Sequence, residues 1–396
     1  MNVPFLNLKK QYSNLYDEIM EEIGQIFKEC CFVNGRYVEQ FEHDFSLKFG
    51  FGNSIGCGNG TEALVLGLRS CGIKPGDEVI TTPFSFFATA EAIASIGAVP
   101  VFADIRESDY TIDPTLLENV ISEKTRAILP VHIFGAPSDM DPIMKIARKY
   151  NLKVIEDCAQ SVGCKYKGQY TGSIGDVGCF SFYPTKNLGG CGDGGMVTTN
   201  EGELNVVIRA LREHGAGENG AEASRYLDDA DGLEMNLLEE NTGSDLYDPF
   251  KYYNYLIAYN SRLDAIQAAV LSIKLKHIDE YNERRKRVAE KYMDGLTDRV
   301  RKPVYSIHDT QCWHQFVIRT DKKNELCKYL ADNDIGSGTF YPVPLHKQKA
   351  FNNLCKDVTL PVAERVCAET VCLPIYPEIT DDQVNYVLEC INRFFD

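Results

Sequence analysis

The chain of 396 residues contains no uninterrupted apolar run of the length that a membrane-spanning helix needs. Its first residues lack an apolar core followed by a small-residue cleavage site, so we expect no signal peptide. Positive charge is in deficit, with 41 Lys and Arg against 57 Asp and Glu and a net charge of −16. This acidity disfavours nonspecific binding to nucleic acid or to anionic membranes. A phosphate ligand would therefore need a local site of backbone N–H groups or a few cations.

The sequence also lacks paired cysteine motifs, because its 14 cysteines are scattered and no CxxC occurs. Most lie among apolar neighbours, where cysteine behaves as a small hydrophobe. We therefore expect reduced thiols and a cytoplasmic protein. No internal repeat is present. A hydrophobic content of 44% is ample for a large core, and 25% charged residues exclude global disorder.

The first half of the chain alternates short apolar runs with helical patterns. This alternation predicts βαβ units, a mostly parallel sheet and an α/β fold with ligands at the carboxyl ends of the strands. We predict an amphipathic helix over 13–31, a hairpin over 186–200 with GDGG as its turn, and a long helical stretch over 261–296. The acidic, Gly/Asn-rich stretch 215–250 is predicted to be a long surface excursion. We predict a large domain over 13–285. A smaller α+β domain follows over 286–396 and is joined by the N-terminal segment 1–12.

The run GCFSFYPTKNLGGCGDGGMVT, residues 178–198, contains the most informative residue, Lys186. Pyridoxal phosphate (PLP) requires a lysine for its aldehyde, a carboxylate for its ring nitrogen and a phosphate site. Asp157 follows the apolar strand KVIE, and Gln160 could contact the phenolic oxygen of PLP. Taken singly, each has an ordinary alternative: a surface lysine, a helix-capping Asp and a polar helix residue. Together they favour a PLP enzyme.

A glycine-rich turn, CGNGTEAL, precedes a predicted helix and offers a phosphate site at Gly60 and Thr61. Ser181 could add a hydroxyl group from the strand near the lysine. A plain capping turn would have the same sequence. Phe86 could stack on the pyridine ring, although a Phe in that context is more often a core residue.

Several segments, in this order, resemble the DegT/DnrJ/EryC1/StrS family of sugar-nucleotide aminotransferases. They are PFLNLKKQY, CGNGTEALVLGLRSCGIKPGDEVITTPFSFFATAEAI, IEDCAQSVG, SFYPTKNLGGCGDGGMV, YNSRLDAIQAAVL, YPVPLHKQ, LPVAERV and LPIYPEIT. The resemblance implies the α/β fold of type I, which is the PLP-dependent transferase fold of aspartate aminotransferase. It also implies that Lys186 bonds the cofactor aldehyde, that Asp157 pairs with the ring nitrogen and that Gln160 contacts O3′. The implied cofactor-binding residues are Gly60, Thr61, Phe86, Asp157, Gln160, Ser181, Lys186 and Asn260.

The resemblance further implies a homodimer with shared active sites, because Asn260 matches an asparagine that reaches the phosphate from the partner subunit. Tyr183 matches a position that faces the sugar. Phe340 and Tyr341 stand where the family often has His-Tyr, so Phe340 replaces a His that approaches the sugar.

The resemblance implies an enzyme that transfers an amino group from glutamate to a nucleotide-linked keto sugar. Family members with His in place of the lysine are dehydratases, so Lys186 favours transamination. The form KNLGGCGDGG favours a 3-keto sugar over the C4 chemistry of members with a TGEGG form. The alternatives are an aminotransferase for a cyclic ketone without a nucleotide, a PLP-dependent dehydratase and a noncatalytic regulator. No metal, nucleic-acid or membrane partner is expected.

Overall fold

A computed structural model gives the structure of the chain and describes residues 1–227 and 253–396. The strands of the larger part are β1 (Asn53–Cys57), β2 (Glu78–Thr81), β3 (Val99–Phe102), β4 (Thr125–Leu129), β5 (Lys153–Asp157), β6 (Lys165–Tyr166), β7 (Gln169–Tyr170), β8 (Val177–Ser181) and β9 (Gly195–Thr199). All except β6 and β7, which pair with each other, belong to one seven-stranded sheet of order β1-β9-β8-β5-β4-β2-β3. Neighbours from β3 to β8 are parallel, and β9 is antiparallel to both β8 and β1. The predicted α/β class and the mostly parallel sheet are confirmed.

Helices cover the sheet and connect its strands. Up to residue 227 they are α1 (Leu8–Glu29), α2 (Arg36–Phe49), α3 (Gly60–Ser70), α4 (Ala88–Ser95), α5 (Met140–Tyr150), α6 (Gly202–Arg212) and α7 (Gly217–Ala223). Beyond residue 253 they are α8 (Ala265–Leu275), α9 (Ile278–Gly295), α10 (Lys323–Asp332), α11 (Pro361–Glu369) and α12 (Asp381–Phe395). Strand β8 is buried along its whole length because helices lie on both faces of the sheet.

Helix α3 lies very close to the centre of the sheet. A Cβ atom on Gly67, in the middle of α3, would lie 2.9 Å from the Sγ of Cys179 in β8. Only glycine allows this approach of helix and strand. The N-terminus of α3 is thereby fixed beside the carboxyl end of β8, where Lys186 follows.

Three predicted elements differ from the structure. Helix α1 begins at Leu8 rather than residue 13, because the Asn7 side chain accepts the N–H of Lys10 at 3.2 Å and caps the helix. The helical stretch 261–296 is divided between α8 and α9, with Lys276 and His277 between them. The hairpin predicted over 186–200 is formed by β8 and β9, so residues 182–194 connect its strands and GDGG ends that connection.

The predicted excursion 215–250 begins with α7, which the sequence pattern did not predict. The part of this excursion from residue 228 onward lies outside the described residues. Helix α2 was also missed, although its Phe41, Phe45 and Phe49 recur at helical spacing and are buried.

A second hydrophobic core lies near the C-terminus. Strands β10 (Phe316–Arg319) and β11 (Thr370–Leu373) form an antiparallel pair whose side chains pack with α9, α10 and α12. Val3 belongs to this core, and its N–H donates to the carbonyl of Asp334 at 2.9 Å. Helix α9 crosses the predicted boundary at residue 285, and the division into two domains stays a prediction.

Candidate active site

One cavity, of about 740 Å³, lies where β5 and β8 end and α3 begins. Its walls include every predicted site residue except Asn260: Gly60, Thr61, Phe86, Asp157, Gln160, Ser181, Tyr183, Lys186, Phe340 and Tyr341. Residues 57–64, 154–160 and 178–186 meet there because parallel strands and their following turns place the carboxyl ends at one edge of the sheet. Phe340 and Tyr341 come from the C-terminal part of the chain.

Lys186 stands in the loop after β8, where its N–H donates to the carbonyl of Tyr183 at 2.8 Å. Enclosure by the cavity walls lowers the pKa of the Lys186 amine from 10.5 to about 8, and the nearby Asp157 carboxylate opposes this shift. A lysine in this state is partly neutral near physiological pH. It can therefore attack an aldehyde or accept a proton.

Asp157 ends β5 with its carboxylate buried. Its Oδ2 accepts a hydrogen bond from Thr89 Oγ1 at 2.8 Å, and its Oδ1 accepts one from the N–H of Ala159 at 3.1 Å. Burial raises the pKa of Asp157, whereas these two hydrogen bonds and the charge of Lys186 lower it. A buried carboxylate with acceptor capacity remaining fits a protonated ring nitrogen. Thr89 was not among the predicted residues, since nothing in ATAEAI distinguishes it from a core threonine.

The start of α3 forms a cradle against β8. Asn59 caps the helix by accepting the N–H of Glu62 at 2.9 Å, so the N–H groups of Gly60 and Thr61 precede the hydrogen-bonded turns. A Cβ atom on Gly60 would lie 2.5 Å from the Cβ of Ser181. The cradle thus has room for an anion only because residue 60 is glycine, and it matches the phosphate of PLP.

Aromatic side chains and one amide line the opposite side of the cavity. Gln160 accepts the N–H of Phe134 at 2.8 Å with Oε1 and donates to the Tyr341 hydroxyl at 3.0 Å with Nε2. Phe86 is 60% exposed, and its ring centroid lies 6.3 Å from that of Tyr341. A face of Phe86 is therefore accessible for stacking, and Phe340 lies beside Tyr341 with ring centroids 5.7 Å apart.

Asn260 lies outside the cavity of its own chain. It is exposed and forms an isolated bridge with Glu213. Its predicted role in the site of a partner subunit stays a prediction.

Side chains of α1 and α8 donate hydrogen bonds to the loop that carries Lys186. Lys274 is fully buried and donates from Nζ to the carbonyl of Gly189 at 2.5 Å. The Tyr12 hydroxyl donates to the next carbonyl, that of Gly190, and the Lys274 Nζ lies 4.8 Å from the centre of the Tyr12 ring. These contacts hold the loop at Gly189 and Gly190, which do not line the cavity.

A buried group of His132, Glu156 and Cys158 lies behind Asp157, with potential ligand atoms within 4.8 Å of one another. His132 Nε2 lies 2.9 Å from a Glu156 oxygen. The Glu156 carboxylate also accepts backbone N–H groups from Gly172, Ile174 and Gly175. A carboxylate has about four acceptor positions, and these contacts occupy them, so Glu156 anchors the turn before β8.

The model of the DegT/DnrJ/EryC1/StrS aminotransferase family matches residues 14–392. The chain belongs to this family. Its members use PLP, so the predictions of family, fold type I, enzyme class and cofactor are confirmed.

Individual relatives cover nearly the whole chain. A protein of Geobacillus stearothermophilus named as a pleiotropic regulatory protein is 40% identical, over 100% of this chain and 99% of its own. The UDP-N-acetyl-3-dehydro-alpha-D-glucosamine 3-aminotransferase of Acidithiobacillus ferrooxidans is 36% identical, over 99% of this chain and 97% of its own. The structure of NtdA from Bacillus subtilis, with bound cofactor PMP (pyridoxamine phosphate), has a TM-score of 0.84 and 28% identity. It covers 98% of this chain and 84% of that one.

No helix in the described part of this chain is long and apolar enough to cross a membrane.

Proposed function

We propose that this aminotransferase moves an amino group from glutamate to a nucleotide-linked sugar that carries its ketone at C3. The observation that carries the proposal is the meeting of Lys186, Asp157 and the Gly60–Ser181 cradle in one cavity. The name of the Acidithiobacillus ferrooxidans relative supports a C3 ketone, as does the form KNLGGCGDGG. The intact pair of lysine and aspartate weighs against a noncatalytic regulator.

Each part of the cavity matches one part of the cofactor. When bound, PLP supplies an aldehyde that takes up the amino group and a ring that accepts electrons from the donor. The N–H groups of Gly60 and Thr61, with the Ser181 hydroxyl, would hold the phosphate. The Asp157 carboxylate would keep the ring nitrogen protonated, and Gln160 would face the phenolic oxygen.

Lys186 has two tasks in this proposal. Its neutral amine would bond the cofactor aldehyde in the resting enzyme, and the donor would release it again as a neutral amine. This amine would accept the proton from Cα of glutamate, and the ammonium group so formed would give that proton to the cofactor carbon that bears the nitrogen. In the second half of the reaction it would move a proton in the reverse direction, from the cofactor carbon to the carbon of the sugar.

The sugar would lie at the open side of the cavity. Tyr183 is 53% exposed there, and Phe340 and Tyr341 form the adjacent wall. Phe340 offers an apolar ring where the family often has His, so it packs against the sugar without a polar contact. In a homodimer, Asn260 would reach the phosphate in the partner's cavity. The 14 free cysteines support a reducing, cytoplasmic location.

The test is a substrate panel with purified PLP-loaded enzyme and glutamate. The panel contains UDP- and dTDP-linked 3-keto sugars, their 4-keto isomers and an inosose-type ring ketone without a nucleotide. Formation of 2-oxoglutarate and of the amino sugar is measured. We expect turnover with a 3-keto nucleotide sugar and none above background in Lys186→Ala. Lys149→Ala, which changes an exposed lysine paired with Glu118, is the matched control and should be fully active.

Three results would count against the proposal. A preference for a 4-keto isomer would refute the claim that the substrate carries its ketone at C3. Turnover of the ring ketone and of no nucleotide sugar would refute the claim that the substrate is nucleotide-linked. Wild-type turnover in Lys186→Ala would refute the role of the lysine.

A further inference from the structure

His314 is a buried wall residue of the same cavity that the sequence did not single out. It precedes β10 in the segment CWHQF and is 6% exposed. Its ring lines the cavity together with Lys186. It therefore places a titratable side chain in the wall of the cavity that also contains the lysine.

The hydrogen bonds of Asn187 fix which ring nitrogen of His314 carries the hydrogen. The amide nitrogen of Asn187 donates to the carbonyl of Cys312 at 2.8 Å and to Asn282 Oδ1 at 2.8 Å. A backbone carbonyl can only accept, so the Asn187 atom facing it is the nitrogen and the other atom is the oxygen. That oxygen lies 3.1 Å from His314 Nδ1. His314 must therefore donate from Nδ1, and a neutral ring then has its lone pair on Nε2.

The surroundings keep this ring neutral. Burial lowers the pKa of His314 well below its ordinary value, and the charges of Lys186 and Arg285 lower it further. Arg285 is buried in α9 and donates to the carbonyls of Ile375 at 2.7 Å and of His314 at 3.4 Å. It thereby fixes the backbone at His314 while placing a positive charge nearby.

The Nε2 atom has no hydrogen-bond partner within the described residues, because the ring's one protein contact is through Nδ1. Because His314 lines the cavity, a group inside the cavity can donate to this nitrogen. Among the donors that line the cavity, the amine of Lys186 belongs to the residue that precedes Asn187, which holds the His314 ring, and its charge acts on that ring.

We propose that His314 is a further catalytic residue, whose Nε2 accepts a hydrogen bond from the ε-amine of Lys186 while that amine carries the transferred proton. This inference rests on the proposed role of Lys186 in transamination. The hydrogen bond holds the protonated amine over the cofactor between the two proton transfers. Because the ring stays neutral, it stabilises the ammonium ion without competing for its proton.

Two substitutions separate the two nitrogens of the ring. The amide nitrogen of Asn can replace Nδ1 and keep the bond to Asn187, but it leaves nothing at the Nε2 position. The amide oxygen of Gln can replace Nε2 as an acceptor, but it loses the Nδ1 bond. We expect His314→Asn to lower kcat about tenfold or more, with KM for the keto sugar changed less than about twofold. His314→Gln should retain most of kcat.

A second measurement reports on Lys186 without turnover. In holoenzyme loaded with pyridoxamine phosphate, Lys186 has no covalent bond to the cofactor. Its pKa can be measured from the pH dependence of reductive methylation, with mass mapping of the lysine. His314→Asn should lower this pKa by about one pH unit relative to wild type and to His314→Gln, because the ammonium ion loses its acceptor.

The outcomes distinguish this inference from the proposed function. An unchanged Lys186 titration in His314→Asn overturns the hydrogen bond, whatever the substrate of the enzyme is. A more active Asn variant than Gln variant would show that His314 acts only by supporting Asn187. A raised KM with unchanged kcat would make His314 a sugar contact instead. Melting temperature and cofactor content, measured for both variants, identify a variant that has failed to fold, and the other variant then decides.

Discussion

The proposed cradle for the phosphate depends on the absence of one carbon atom, and replacement of Gly60 by Ala tests it. The added Cβ would lie 2.5 Å from the Cβ and 3.0 Å from the Oγ of Ser181. Carbon atoms pack at about 3.5–4.0 Å, so the start of α3 must move away from β8 by about 1 Å. Neither atom can yield easily, because one is tied to a helix start and the other to a central strand.

The displacement should weaken PLP binding. A hydrogen bond to a charged group contributes about 1.5–3 kcal/mol. Loss of one backbone contact to the phosphate therefore predicts a Kd for PLP about 10- to 100-fold higher. Overpacking at this point should also lower the free energy of unfolding by about 1–3 kcal/mol. The assay is a titration of apoenzyme with PLP, followed by the absorbance of the bound cofactor, and a thermal melt of the apoenzyme.

Gly202 provides the matched control. It is the first residue of α6, as Gly60 is of α3, and a Cβ atom there would meet nothing within 4 Å. Gly202→Ala should therefore leave PLP binding unchanged. Removing the opposing Cβ with Ser181→Gly should restore part of the apoenzyme's stability in the Gly60→Ala background. Wild-type PLP affinity in Gly60→Ala would refute the cradle.

Three further outcomes are expected. Thr89→Val removes the hydroxyl that donates to Asp157 and should raise the pKa of that carboxylate further. It should lower kcat about tenfold, and an unchanged kcat would mean that this hydrogen bond is dispensable. Because the pKa of Lys186 is about 8, the rate of PLP capture by apoenzyme should fall about tenfold per pH unit below pH 8. Stopped-flow absorbance measures this rate, and a fall that already begins near pH 10 would contradict the shift. Lys186→Ala and Asn260→Ala, each inactive alone, should regain activity when co-expressed, because a mixed dimer contains one intact site. No regained activity in a verified mixed dimer would refute the shared site.

The sequence was most informative where function depends on neighbours along the chain. Asp157 ends an apolar strand, and Lys186 follows another, so parallel pairing alone brings them to the same edge of the sheet. Gly60 and Thr61 open a helix that packs on those strands. Their placement in one cavity was therefore predictable from local patterns and the topology rule for parallel sheets.

Contacts between distant segments could not be predicted in this way. His314 reaches the cavity because Arg285 and Asn187 hold its backbone and ring, and none of these contacts produces a periodic pattern. Thr89 likewise acquires its role only when α4 packs beside the end of β5. The break between α8 and α9 was missed because the apolar positions on either side of Lys276 continue the helical spacing.

The contacts beneath the lysine loop have a consequence for synthesis of the chain on the ribosome. A nascent chain that ends at residue 227 already contains both Lys186 and Asp157, but it lacks Lys274, which donates to the loop at the carbonyl of Gly189. The lysine can take up its final position only after α8 has emerged and docked beside Tyr12. Cofactor capture should thus be a late event in biogenesis, and an N-terminal fragment should not acquire the holoenzyme's colour.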